Sequence, residues 1–137
     1  IMIPADWTDI PYEAFEGCKD LRKVLIPAKI TEIKTSAFLT SGLEAVEFAA
    51  GSELVSIGQQ AFQWTNIVRI DIPSTVTTIG GWAFWASKIV SIDIPSSVAA
   101  FDAENVFSNT PCDNKDIFQP GTVDIFQPGN AVENCEI

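Results

Sequence analysis

One dipeptide sets the frame of this chain. Ala-Phe recurs as Ala14-Phe15, Ala37-Phe38, Ala61-Phe62 and Ala83-Phe84, then in weaker form as Val106-Phe107. The phenylalanines follow one another at 23, 24, 22 and 23 residues. Ile10, Ile33, Ile57 and Ile79 stand at a fixed offset before the first four, and Phe101 lies close to that slot in the last. Ile-Pro recurs as Ile3-Pro4, Ile26-Pro27, Ile72-Pro73 and Ile94-Pro95. Phe48-Ala49 fills the remaining slot, where the segment A-A-G-S-E-L carries a short insertion. Agreement at several columns over such a period marks a solenoid. A single unit cannot bury its apolar columns, whereas stacked units bury a continuous core.

Each repeat reads as a strand, a turn, a second short strand and a short helical turn. The first strand is Leu21-x-x-Val24-x-Ile26, with counterparts starting at Leu43, Ile67 and Ile89. Its closing alternation has the period of a half-buried strand. Proline then ends the pairing, because it lacks the N–H that a ladder needs. The second strand is Ile30 to Ile33, with counterparts Leu54 to Ile57, Val76 to Ile79 and Val98 to Phe101. The Ala-Phe pair falls on the helical turn, with the ring inside and the alanine permitting close approach. The fold class is therefore a mostly β, α/β repeat solenoid with parallel ladders.

The pattern I-P-x-x-V-x-x-I-G-x-x-A-F-x-x-[CST]-x-[LI]-x-x-I-x-I resembles the BspA-type leucine-rich repeat. Its best copies run from Ile72 to Ile94 and from Ile26 to Phe48. The variant F-A-A-G-S-E-L-V-S-I-G, Phe48 to Gly58, is similar to another form of that repeat. The resemblance covers about residues 3 to 110. It implies a leucine-rich-repeat solenoid with a non-enzymatic binding role, extracellular or at a cell surface and in places adhesive. The family's cysteine column is kept only at Cys18, and Ser41, Thr65, Ser87 and Thr110 replace it. That substitution fits a small packing position rather than a ligand. Residues 1–110 form the expected solenoid of about four and a half repeats. It opens mid-repeat at Ile1, as a trimmed piece of a longer protein with an open end would.

Composition narrows the function. The 137-residue chain has no histidine, which excludes Ser-His-Asp and Cys-His catalysis and His-containing zinc sites. Its net charge of -10 argues against binding nucleic acid or an anionic membrane through bulk charge. No apolar run approaches the roughly 20 residues of a membrane-spanning helix. Acid pairs such as Glu13 with Glu16 lack repeated columns and an apolar pocket, so a solvated face explains them better than acid–base catalysis. Neither an enzyme nor any cofactor or metal is expected. A calcium line through Glu47, Asp71 and Asp93 lacks the dense Gly-Asp loops of calcium repeats.

Residues 111–137 leave the pattern. Asp116-Ile117-Phe118-Gln119-Pro120-Gly121 recurs as Asp124-Ile125-Phe126-Gln127-Pro128-Gly129. Pro-Gly suits the centre of a type II turn. The tail reads as a cap over the last repeat or as an arm that docks through Phe118 and Phe126. From residue 101 onward there are seven acids and one base, a net of -6. Cys112 and Cys135 bracket this tail; a bridge closing it and two free thiols both suit their placement.

Two faces are candidate contact surfaces. On the first strands, outward rows include Arg22, Glu44, Val68 and Val90, then Lys23, Ala45, Arg69 and Ser91. Val68, Arg69 and Val90 are the expected contacts there. On the turns, Trp82 precedes its Ala-Phe pair, Trp85 follows it, and Trp64 lies two beyond its phenylalanine. Elsewhere those columns are mostly polar or small. With Leu39, the three rings would form an exposed aromatic patch, and such patches mark contacts. The opposing expectation is that the rings lie flat over neighbouring repeats. The leading function is a protein–protein interaction module for recognition or adhesion, extracellular or at a cell surface. The alternative is an accessory subunit of a larger assembly, as in an organelle lumen, docked through the Trp patch and the tail.

Overall fold

The computed structural model describes residues 1–99, 103–110 and 131–132. The stretches around Cys112, Phe118, Phe126 and Cys135 lie outside them, so the expectations for the tail contacts and the bridge do too.

Two stacks of short strands run along the solenoid. The first-strand positions give β2 (Lys23–Ile26), β4 (Ala45–Phe48), β6 (Arg69–Asp71) and β8 (Ser91–Asp93). The second-strand positions give β1 (Asp9–Ile10), β3 (Glu32–Ile33), β5 (Ser56–Ile57) and β7 (Thr78–Ile79). The latter form a continuous four-stranded parallel sheet in the order β1-β3-β5-β7. Its register sets Ile10 beside Ile33, Ile33 beside Ile57, and Ile57 beside Ile79. Identical apolar columns therefore stack on themselves, which is what the periodicity requires.

The first-strand stack is divided. β2 pairs with β4 and β6 with β8, both in parallel. Among the described residues no strand ladder joins β4 to β6, although Asn66 N–H donates to Leu43 O at 2.9 Å. The division coincides with the insertion after Phe48. Phe48 is only partly buried, whereas its counterparts Ile26 and Ile94 are fully buried. At the far end β9 (Ala131–Val132), from the tail, pairs antiparallel with β8.

Proline shapes the corner between the two stacks. The carbonyls of Pro4, Pro27, Pro73 and Pro95 each accept from the N–H three residues on, at 3.1–3.2 Å. The ring ends the ladder, and its carbonyl closes the turn into the second strand.

The Ala-Phe segments form turns with an alternating hydrogen-bond pattern. Ala37, Leu39 and Ser41 N–H groups donate three residues back, to Lys34, Ser36 and Phe38. Between them, Ser36, Phe38 and Thr40 donate to Gln59, Ala61 and Gln63 of the next repeat. The expected short helical turn thus takes the form of separate turns tied sideways to their neighbours. One short helix, α1 (Ala103–Phe107), occupies this place in the last described repeat.

The core is a column of rings. Phe15, Phe38, Phe62, Phe84 and Phe107 stack with centroids 5.1–5.8 Å apart and planes within 5–10° of parallel. Phe38, Phe62, Phe84 and Phe107 are fully buried, while Phe15 is half-buried and touched by Trp7 at 6.4 Å. Each fully buried ring stabilises the stack by roughly 1.5–3 kcal/mol through lost water contact.

Candidate recognition surface

The cysteine column is a packing column. Ser41, Thr65, Ser87 and Thr110 are all buried. Thr65 Oγ1 donates to Phe62 O at 2.8 Å, and Thr110 Oγ1 to Phe107 O at 2.6 Å. Cys18 is a free, half-buried thiol.

The outward face of the first strands is largely committed to charge pairing. Arg22 meets Glu44 at 3.5 Å, and Lys23 meets Glu47 at 2.7 Å across β2 and β4. Arg69 lies 3.6 Å from Asp71 on its own strand. These pairs are well exposed and worth little energetically. Val68 and Leu25 are exposed and Val90 is half-buried. Near the second sheet, Lys34 donates to Asp9 at 3.1 Å and lies over the Tyr12 ring at 5.4 Å. The Asp9 carboxylate holds the Lys34 pKa above its ordinary 10.5, against an opposing effect of desolvation. Among the described residues no cluster of three acid or thiol ligands could hold a metal ion.

The turn face carries the tryptophans. Trp64 is 52% exposed and Trp82 is 41% exposed. Trp85 and Leu39 are half-buried. The Trp64 and Trp85 rings meet at 5.4 Å with a 54° tilt. The same backbone geometry repeats along this face. Glu13, Ser36, Gln60 and Trp82 share one left-handed column, with φ of 56–59°. Gly17, Thr40, Trp64, Ala86 and Asn109 share another, at 54–69°. Bulky residues rarely adopt that region, and glycine adopts it freely.

The expectation that these columns face solvent holds at about half of their positions; Gln60, Leu39, Trp85, Ser108, Thr40 and Ala86 are half-buried. Ser36 and Gln63 are buried. Gln63 shares the half-exposed column of Leu39 and Trp85, and its Oε1 has no hydrogen-bond partner.

These features define a class: a repeat-built solenoid of parallel strand ladders around a column of stacked phenylalanines. The BspA type leucine-rich repeat region model matches residues 1–115 as six copies. The chain belongs to the BspA-type leucine-rich repeat family, whose members generally serve as interaction modules rather than enzymes. No curated protein matches it significantly. Among solved structures it is similar to the pneumococcal vaccine antigen PcpA, with a TM-score of 0.52 at 24% identity. The match covers 64% of this chain and 28% of PcpA, so the chain spans under a third of that protein.

Proposed function

We propose that this chain is a non-enzymatic recognition or adhesion module that binds a protein partner through its turn face. The observation that carries the reading is the pair of exposed tryptophans, Trp64 and Trp82, on left-handed backbone, with Trp85 against Trp64. Large exposed aromatic residues are unfavourable in water and enriched at binding hot spots. Leu39 extends the patch, while Val68, Arg69 and Val90 form a secondary surface on the first strands. Family membership, together with the likeness to a vaccine antigen, supports an extracellular or cell-surface setting.

Crosslinking of the full chain in its native extract, through Lys23, Lys34 and Lys88, would capture neighbours for mass spectrometry. The partner should be lost from Trp64→Ser and Trp82→Ser variants whose circular dichroism is unchanged. Retention of the same partner by both variants would remove the turn face from the interaction.

A further inference from the structure

We infer that Trp82 is a site of C-mannosylation, the attachment of one mannose by a carbon–carbon bond to C2 of its indole ring. The inference rests on the extracellular setting proposed above, since the modification belongs to a secretory route. It does not depend on protein binding by the turn face.

The argument begins with a spacing that the recognition reading leaves unused. Trp82-Ala83-Phe84-Trp85 sets two tryptophans three residues apart. W-x-x-W is the general acceptor sequence for this modification, and its first tryptophan is the acceptor. So short a motif counts only where its structural context fits. The other turns hold Glu13 and Glu16, Ser36 and Leu39, Gln60 and Gln63, and Asn105 and Ser108 at the same two columns. The repeat itself therefore requires a tryptophan at neither position.

The fold supplies the context. The two intervening residues, Ala83 and Phe84, are fully buried. Trp85 N–H donates to Trp82 O at 3.1 Å and closes a turn around them. Trp82 is 41% exposed, whereas Trp85 is half-buried and lies against Trp64 at 5.4 Å. The ring in the acceptor position is the open one, and the second ring of the motif is the anchored one.

The chemistry is a substitution. Indole C2 is an electron-rich carbon conjugated with the ring nitrogen. It attacks the anomeric carbon of a polyprenyl-phosphate mannose, the donor class that serves lumenal transferases. A C–C bond forms as the bond from the anomeric carbon to the phosphate oxygen breaks. Polyprenyl phosphate leaves with the electron pair, and the C2 proton passes to a base of the transferase, which restores aromaticity. No oxidant or reductant is consumed. The product places hydroxyls on an apolar ring at the surface, which lowers the cost of leaving that ring in water.

The other tryptophans provide an internal control. Trp64 is more open than Trp82, at 52% exposed, but Ile67 stands three residues after it. Trp7 is followed at that distance by Ile10, and Trp85 by Lys88. A reaction governed by exposure alone, such as oxidation, would favour Trp64. The acceptor sequence selects Trp82.

The test is peptide mass spectrometry of the full chain from its native source. One hexose is expected on Trp82 and none on Trp7, Trp64 or Trp85. On fragmentation the sugar should break across its ring and leave a remnant on the indole, because a C–C bond does not release the whole hexose as an O-linked one does. The same chain secreted from animal cells tests the motif. Trp85→Leu, which installs the residue that Leu39 supplies in this column, should abolish the addition at Trp82, whereas Trp64→Ala should leave it unchanged. The inference is overturned if native Trp82 is unmodified, if the hexose is released whole, if Trp64 carries it equally, or if Trp85→Leu retains it. An unmodified chain that still captures its partner overturns the mannose and leaves the protein-binding reading intact. A mannosylated Trp82 in a chain whose capture ignores Trp64 and Trp82 does the reverse.

Discussion

Left-handed backbone at non-glycine residues is the strongest local constraint in the molecule. An L side chain in that region costs roughly 1–2 kcal/mol. Thr40 and Trp64 are kept there because their N–H groups reach the next repeat, at 2.9 Å to Gln63 O and 3.0 Å to Trp85 O. Gly17 occupies the same column with φ of 69°, and an added Cβ would meet nothing within 4 Å. Gly17→Ala therefore isolates the backbone cost and should lower stability by about 1 kcal/mol in urea denaturation. Thr40→Gly should act in the opposite direction, by about 0.5–1 kcal/mol, since a β-branched residue is the least suited to this region. If neither variant shifts the midpoint, the column is not strained. Trp64 shares this backbone with Thr40, Ala86 and Asn109, so the strain belongs to the repeat and not to the tryptophan alone.

At the scale of elements, the phenylalanine column and the continuous second-strand sheet hold the repeats together. Phe62→Ala should cost about 3–5 kcal/mol, because a fully buried ring leaves a cavity between two neighbours. Phe15→Ala should cost clearly less, since that ring is half-buried and stacks on one phenylalanine only. Equal losses in chemical denaturation would contradict a core graded by burial. The phenylalanine, isoleucine and Ile-Pro columns were legible in the sequence because every repeat needs the same side chain in the same place. The alternating turn hydrogen bonds were not, since half of their partners lie in the adjacent repeat. The missing ladder between β4 and β6 was foreshadowed only by the insertion after Phe48. At the candidate site, the column positions of Trp64, Trp82 and Trp85 were readable. The contact between Trp64 and Trp85 and the burial of Gln63 were not, because both depend on how side chains from neighbouring repeats settle against each other.

The whole molecule is a one-dimensional stack, so its stability is set by repeats and their nearest-neighbour interfaces. The two ends differ. β1 pairs on one side only, with β3, and Phe15 beneath it is partly open to solvent. At the other end of the first-strand stack, β9 lies against β8 and covers an edge that would otherwise offer unpaired backbone groups. Opening should therefore begin at the first repeat and run inward. Hydrogen exchange followed by mass spectrometry gives the check, because the inter-repeat amides are known individually. Phe15 N–H, bound to Ala37 O, and Thr31 N–H, bound to Thr8 O, should exchange early. Phe62 N–H, bound to Ala83 O, and Gly58 N–H, bound to Ile33 O, should exchange last. The missing ladder between β4 and β6 adds a second expectation, that Asn66 N–H exchanges sooner than its neighbours in the second-strand sheet. A flat protection profile would mean that the chain opens as one unit and that the difference between its ends carries no free energy. A graded profile would leave Trp64 and Trp85 in the slow-exchanging middle of the stack, where a recognition surface is held rigid before its partner arrives.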